Sequence, residues 1–564
     1  MANLKAVLTR PKVSENYSRN AFDRSFSPKF SYQVGALQPF MAEQCIAGSH
    51  IKLNRSIFQR TPAVNTAAFP KVDTHCEFFY VPLRLLWSYW NDYKLKIQDY
   101  NTSYMGTFNS SGGFSANGAP VLPTFDLNDV RDNILVRLSS GSLIGNNYFN
   151  TKREAVEANR LLDGLGYGFV KGTETRYSSS DYSSFTVNAF KLLAYQKVYY
   201  DHFRNTSYET NDPSYYNWDY WSHGGVSMPY QIVSKACTYR YVNYRRDYFT
   251  SLYPSLNYVV SNPSGLSWTI PASVQFQLNA NSSINGTSTG NGQTVLFSTS
   301  NSAGNVGFTV QQIRAAFALD KLLRASAYTP KHVKDQFEAR YGVRGVESGN
   351  ESVRIGAFMS DIIFREVVNQ SKTATTPLGV IGAQGVGSSS FEKDIEFTCK
   401  EDCIILGLCY SLPRSSYDST MVKNWNMKIA AEDFFIPEYM NLGMQPLYHG
   451  ELQYENNDAT ANMLPLGYQD RYLEYKLGID VNHGLFNSNM ALSDFVVHSG
   501  TGRSFTGSGV STSYFKVNPR DMDAIFVQST ATDDMTTDKF ITYMDVKFIC
   551  NQNMSVHGQP ISVS

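Results

Sequence analysis

A chain of 564 residues with 42% apolar and 17% charged residues is too apolar and too weakly charged to be disordered, and none of its apolar runs is long enough to cross a bilayer. Its 49 basic residues balance 49 acidic ones, which excludes a protein that holds nucleic acid by its own net charge and leaves an isolated subunit prone to associate. With 37 Tyr and 35 Phe the chain is rich in rigid contact area, and its seven cysteines, an odd number, do not form a disulfide framework. The opening Met-Ala-Asn-Leu-Lys has no apolar signal core, so assembly in a reducing cytoplasm is expected.

In chain order, residues 1–30 form a basic arm, with Lys5, Arg10, Lys12, Arg19, Arg24 and Lys29 against Glu15 and Asp23. Such an arm either solubilises the terminus or touches DNA. From Val72 to Tyr80 the side chains alternate with the period of two that marks a strand. A long inserted region follows, at about residues 88–390. It holds a helix near 186–204, carrying Phe190, Ala194 and Val198 at four-residue spacing. The segment Tyr239–Phe249 interleaves Arg240, Arg245 and Arg246 with Tyr244, Tyr248 and other rings. Arginine forks bind phosphate and rings stack on unpaired bases, but the same residues suit internal packing or a subunit interface. Residues 248–313 contain no Asp, Glu, Lys or Arg and read as a neutral hairpin excursion.

A helix over 309–328 opens on the capping box Thr309-Val-Gln-Gln312. A second, over 330–341, starts at Pro330, carries Val333, Phe337 and Tyr341 on one stripe and stops at Gly342. Both are expected to be buried by packing within or between subunits. Ile395–Thr398 and Cys403–Leu412 read as a hairpin whose second arm is apolar on both faces. Residues 498–514 read as a loop, and alternation from Phe540 to Ile549 gives a last strand, so the core sheet should join both ends of the chain.

The spacing Cys399-x3-Cys403-x5-Cys409 has the look of a metal site but falls on the buried arm and lacks further ligands, so a structural role is expected. No nucleotide, metal or nucleophile motif stands out, and no residue is assigned to catalysis, a cofactor or a metal. A secreted or surface β-sandwich that binds or cleaves glycans is the competing class, favoured by the aromatic content and disfavoured by the missing signal.

Several segments resemble, in order, those of the major capsid proteins of the Microviridae, small phages with single-stranded DNA, and most nearly the gokushovirus-like branch. They include Cys76-Glu-Phe-Phe-Tyr-Val-Pro82, Tyr195-Gln-Lys-Val-Tyr-Tyr-Asp-His-Phe-Arg-Asn205, Tyr244-Arg-Arg-Asp-Tyr-Phe249, Ile313-Arg-Ala-Ala-Phe317 and Asp433-Phe-Phe-Ile-Pro-Glu-Tyr439. The likeness spans roughly residues 30–490, with departures in 248–313 and beyond 500. It implies a mainly β fold, a single eight-stranded antiparallel jelly roll (β-sandwich) with long loop and helical insertions, occupying residues 31–564 behind the arm. It also implies a virion protein, sixty copies of which close a T=1 icosahedral shell around circular single-stranded DNA. The implied partners are other copies of the chain, a small basic internal DNA-binding protein, a DNA pilot protein, and in some lineages a spike or scaffolding protein. The basic partner would explain how a neutral subunit encloses DNA. A host-surface receptor completes the set; neutral polar loops in 248–313 or 498–514 suit a carbohydrate.

Overall fold

The structure is a computed structural model and describes residues 19–64, 69, 71–95, 107–108, 114–115, 122–139, 146–172, 184–220, 228–254, 314, 318, 321–322, 332–343, 349–368, 381–390, 393–414, 416–418, 422–440, 443–454, 459–499, 509–523, 525–526 and 538–554. Its main feature is a curled antiparallel sheet of ten strands: β1 (Arg19–Asp23), β2 (Lys29–Tyr32), β3 (Gln38–Cys45), β4 (His50–Val64), β5 (Lys71–Pro82), β6 (Val353–Val368), β7 (Ile381–Ser389), β8 (Ile395–Thr398), β9 (Cys403–Pro413) and β10 (Phe540–Asn553). The strand order is β1-β10-β4-β7-β6-β5-β9-β3, with β2 following β1 along β10 and β8 following β7 along β4.

The alternation at the C-terminus is realised on β10. Phe540, Thr542, Met544, Val546 and Phe548 are buried, while Ile541 and Tyr543 face out. Asn553 pairs with Arg19 and Asn551 with His50, so the two ends of the chain share one sheet as expected.

The expected hairpin is not formed. β8 pairs with β4 through Leu53 to His50, whereas β9 pairs with β5 and β3. The polar turn between them is a corner, pinned by ion pairs and hydrogen bonds that lead away from β8. Glu401 takes Arg84 at 2.9 Å, and Asp402 accepts from the Trp90 indole and the Ala47 amide, both at 3.1 Å. The doubly apolar reading of β9 does hold, because Ile404, Ile405, Leu406 and Leu408 are all fully buried. Each such side chain is worth about 1.5–3 kcal/mol of transfer free energy. Gly407 interrupts the run because a Cβ there would lie 2.8 Å from the Phe40 ring.

Helices cover the sheet. α1 (Leu127–Ser139) packs on α2 (Lys152–Gly164), α3 (Phe190–Val198) lies across β5 and β9, and α4 (Tyr230–Ala236) packs on α3. α3 continues into a π-helical turn, Tyr199–Phe203, in place of the plain helix expected up to residue 204, and a short strand, Thr186–Asn188, precedes it. α5 (Val333–Tyr341) ends at Gly342 with φ +67°, as its sequence requires, but the start at Pro330 lies outside the described residues. Its stripe is not buried within the subunit: Val333, Phe337 and Tyr341 are 47%, 42% and 70% exposed. Of the helix expected over 309–328, Arg314, Ala318, Lys321 and Leu322 are helical and the others lie outside the described residues. The uncharged stretch is described only to Pro254, and the 498–514 loop only at its two ends. All seven cysteines are buried free thiols. Among the described residues no helix is long and apolar enough to cross a membrane, and no cluster has metal-ligand geometry.

One core residue breaks the pattern. Arg55 on β4 is fully buried, and its three guanidinium nitrogens have no hydrogen-bond partner among the described residues. The charge sits 5.2 Å from the Phe358 ring centroid, a cation–π contact strengthened by the lack of water. Its polar neighbour is the Cys76 thiol, whose pKa is lowered by the hydrogen bond with Cys409 and then by the Arg55 charge, but a neutral thiol does not balance a buried charge, which costs several kcal/mol, more than one ring contact returns. Replacement by an apolar side chain of similar length, Arg55→Met, should therefore hold or raise the stability of the unassembled subunit, by about 1–4 kcal/mol. Urea denaturation measures this, and a clear loss of stability would mean that the charge has a counter-group.

Candidate functional site

The segment singled out by its Tyr–Arg alternation runs as an extended strut between two cores. Tyr239 and Val242 belong to the main core, and Tyr248, Phe249 and Leu252 to a smaller one built with Tyr417, Leu447, Leu466, Tyr514 and Phe515. Its backbone is tied on both sides. Leu37 N donates to Arg240 O (3.0 Å), Val242 N to Gly35 O (2.9 Å), Val517 N to Val242 O (3.0 Å) and Tyr244 N to Phe515 O (2.8 Å). An extended segment exposes its donors and acceptors along both edges, so these bonds satisfy groups that would otherwise be stranded.

The arginines divide into two kinds. Arg240 is enclosed: its guanidinium lies 4.5 Å from the Tyr199 centroid, 4.7 Å from Tyr215 and 5.1 Å from Tyr200. Its Nε donates to Gln196 Oε1 at 2.8 Å and its Nη2 to the Tyr200 hydroxyl at 3.2 Å. Beside it, Lys516 donates to the Tyr199 hydroxyl and pairs with Glu209 at 3.3 Å, and burial pulls its pKa down to about 8. Arg240, Tyr199, Lys516 and Glu209 line a cavity of about 380 Å³ together with Arg153, Tyr241 and Tyr244. Arg153 pairs with Glu157 at 2.8 Å, so the cavity's cations already have partners. The arrangement ties the strut to the rings after α3 and leaves three cations, each with a partner of its own chain, on the wall of that cavity.

Arg245 and Arg246, by contrast, are exposed at the end of the strut. Arg245 reaches Asp73 at 3.2 Å, and Arg414 reaches the same buried carboxylate at 3.0 Å. One Asp73 thus faces two arginines, and Asp247 and Asp480 line the same pocket beside them. Tyr244 is half-buried and donates to Asp521. Tyr248 is buried and donates to Glu451 Oε2 at 2.7 Å. Arg19 is exposed on β1 and donates to the Gly48 carbonyl, while Lys5, Arg10 and Lys12 lie outside the described residues.

The sequence reading thus found the strut but did not separate the enclosed Arg240 from the exposed Arg245 and Arg246. Their spacing carries that signal. Arg240 stands among Tyr239, Tyr241 and Val242, whereas Arg245 and Arg246 are adjacent to each other and to Asp247, a run of three charges that suits an exposed position. It also missed α1 and α2. The Thr151-x-x-Glu154 capping box was legible, and both of its hydrogen bonds are formed.

Glu451 is buried beneath Tyr248, and burial raises its pKa to about 7 against the hydrogen bonds from Tyr448 N and Tyr248 that lower it. The native state therefore keeps a proton up to about pH 7 that the unfolded chain releases near 4.5. More protons are bound natively across that window, so stability falls as pH rises through it. The unassembled wild type should lose on the order of 2–3 kcal/mol between pH 4.5 and 7.5 relative to Glu451→Gln, as read by urea unfolding at both pH values. Parallel pH dependence in the two proteins would refute it.

The sequence model of a phage family described as capsid protein (F protein) matches residues 12–115 and 177–562. The match passes through 248–313 and continues beyond 500, where a departure was expected, and leaves out 116–176, the stretch that holds α1 and α2. Capsid protein VP1 of Chlamydia phage 1 is 22% identical over 516 residues, covering 84% of this chain and 85% of that one. Capsid protein VP1 of Bdellovibrio phage phiMH2K is 22% identical over 568 residues, covering 92% and 89%.

Proposed function

The chain belongs to the phage capsid family of the F protein, and on that premise we propose that it is the major capsid protein of a phage of the Microviridae, whose copies close a T=1 icosahedral shell of sixty subunits around circular single-stranded DNA. The observation that carries the reading is the family match at both ends of the chain, which takes in every strand of the ten-stranded sheet. The curled sheet is the jelly roll of the shell, and its helices and long loops make the contacts between copies. The protein acts in the virion after assembly in the host cytoplasm.

The zero net charge fits this role with a division of labour. Identical neutral subunits approach one another without net repulsion, and a small basic internal protein supplies the counter-charge for the genome. A DNA pilot protein, spike or scaffolding proteins and a host receptor of carbohydrate character complete the set of partners. On the subunit itself, the N-terminal arm with Lys5, Arg10, Lys12 and Arg19 is one surface offered to DNA or to a neighbouring copy, and the exposed pair Arg245 and Arg246, towards the other end of the sheet, is a second. Arg240, Tyr244 and Tyr248 support that surface from within.

Two outcomes test the reading. Expressed with its partner proteins, the chain should form uniform shells by electron microscopy, and a subunit that stays monomeric throughout would sink it. In those shells, Arg245→Ala with Arg246→Ala should lower particle yield or DNA content several-fold. Unchanged yield and unchanged DNA content would remove both roles from the pair.

A further inference from the structure

Residues 423–440 form a surface loop of short helical turns, Asn424–Met427, Ala431–Asp433 and Pro437–Tyr439, with almost no buried residue. A loop exposed to water should be polar. This one carries Trp425, Ile429, Phe434, Phe435, Tyr439 and Met440 on its surface, with Trp425 53% and Ile429 94% exposed. Exposed apolar area of this kind marks an interaction site.

The rings are held in a built arrangement. Lys428 lies beneath them, only 5% exposed and ion-paired to Glu474. It sits 4.4 Å from the Tyr475 centroid, 5.3 Å from Trp425, 5.7 Å from Tyr472 and 5.9 Å from Phe434. Trp425 packs edge-on against both Phe434 (5.5 Å) and Tyr475 (5.4 Å), and Phe435 against Tyr472 (5.2 Å). Tyr472 adopts φ +62°, a left-handed conformation that costs a bulky residue about 1–3 kcal/mol. Its neighbours hold it there. Gln445 Oε1 accepts its amide at 2.8 Å, and its hydroxyl donates to Phe434 O at 3.0 Å. Backbone strain held in this way fixes the ring positions in advance of any partner.

Charge decides what the partner is. Residues 423–440 and 471–477 contain four cations (Lys423, Lys428, Arg471, Lys476) and four carboxylates (Glu432, Asp433, Glu438, Glu474). Lys428 is consumed internally, and Arg471 donates to the Glu432 carbonyl at 2.9 Å. A neutral patch gives no purchase to DNA or to a strongly basic protein, each of which needs an excess of opposite charge. It does match a neutral surface, and the chain itself is neutral. Half-exposed Trp and Tyr around an apolar knob are also the composition of interface hot spots. We infer that the Lys428-centred aromatic knot, with Ile429 at its tip, is a contact between copies of this chain in the shell. The inference rests on the capsid reading and goes beyond it by naming the surface.

Hydrogen–deuterium exchange compares intact particles with unassembled subunit. Peptides covering 423–440 should exchange at least about tenfold more slowly in the particle, in DNA-filled and empty shells alike. Intact particles whose 423–440 amides exchange as fast as in the free subunit would overturn the inference and leave the capsid reading standing. Protection confined to DNA-filled particles would assign the patch to nucleic acid and also overturn it. A wild type that never assembles would overturn both. The variant Ile429→Asp with Met440→Asp changes two exposed side chains, so its subunit should melt at the wild-type temperature while particle yield falls at least about tenfold. Wild-type yield from that variant would count against the inference.

Discussion

β10 comes last in sequence but second in the sheet, where its 14 residues pair with β1 and β2 on one side and with β4 on the other. Everything upstream waits for it. Among the described residues β1 and β2 have no other strand partner, and β4 without β10 would leave its His50–Arg60 edge unpaired on that side. The opposite edge of the sheet, β3, is met by the same N-terminal segment through side chains. Arg24 pairs with Glu43 and donates to Gln44 O at 2.9 Å, and Phe30 stacks on Phe40 with centroids 6.1 Å apart. The curl therefore closes by side-chain contact where a ladder is absent, which protects an edge that would otherwise invite pairing with another chain. Contacts spanning more than 500 residues form against a large loop-closure cost, so the closed sheet is expected late in folding.

That dependence on distant pairing also sets what the sequence could disclose. Period-two alternation in Val72–Tyr80 and Phe540–Ile549 named two strands and, being at opposite ends, the closure itself. Adjacent strands were misjudged where proximity in sequence stood in for pairing. Ile395–Thr398 and Cys403–Leu412 are separated by four residues, yet Glu401 and Asp402 are held by Arg84 and Trp90, which turns the chain away from its neighbour. Helix α5 was legible from Val333, Phe337, Tyr341 and Gly342, but a stripe of apolar residues says only that something covers it and not whether the cover is the same chain. The π-helical turn after Val198 had no sequence signal, since its residues would also suit an ordinary helix.

The candidate site shows the same limit in chemical form. Arginine beside tyrosine reads as a nucleic-acid surface, and in this protein much of that chemistry is used to bind the chain to itself. Arg240 is spent on three tyrosines, Lys428 on four aromatic rings, Arg55 on Phe358, and Lys539 lies 5.1 Å from the Phe526 centroid. A cation placed over a ring out of water gains about 2 kcal/mol and gives up its long reach to a phosphate. A count of basic residues therefore overstates the positive charge available outside. Composition fixes the net charge at zero, 49 against 49, but not which charges face out: even the exposed Arg245 shares the Asp73 carboxylate with Arg414.

A subunit built in this way has a particular problem of solubility. Its net charge gives no general repulsion, and it carries exposed apolar side chains on α5 and around Lys428. Loose attraction between such surfaces would produce aggregates of every geometry. What separates a shell from an aggregate is that the contacts permit only one orientation, and orientation comes from rigid placement rather than from apolar area. The ring cage around Lys428 and the strut tied on both edges from Tyr239 to Tyr244 hold side chains in fixed positions, and the neighbours of Tyr472 offset the cost of its φ +62° backbone. Internal cation–ring contacts thus serve the exterior: Lys428, held beneath Trp425, Phe434, Tyr472 and Tyr475, fixes the rings that surround the exposed Ile429.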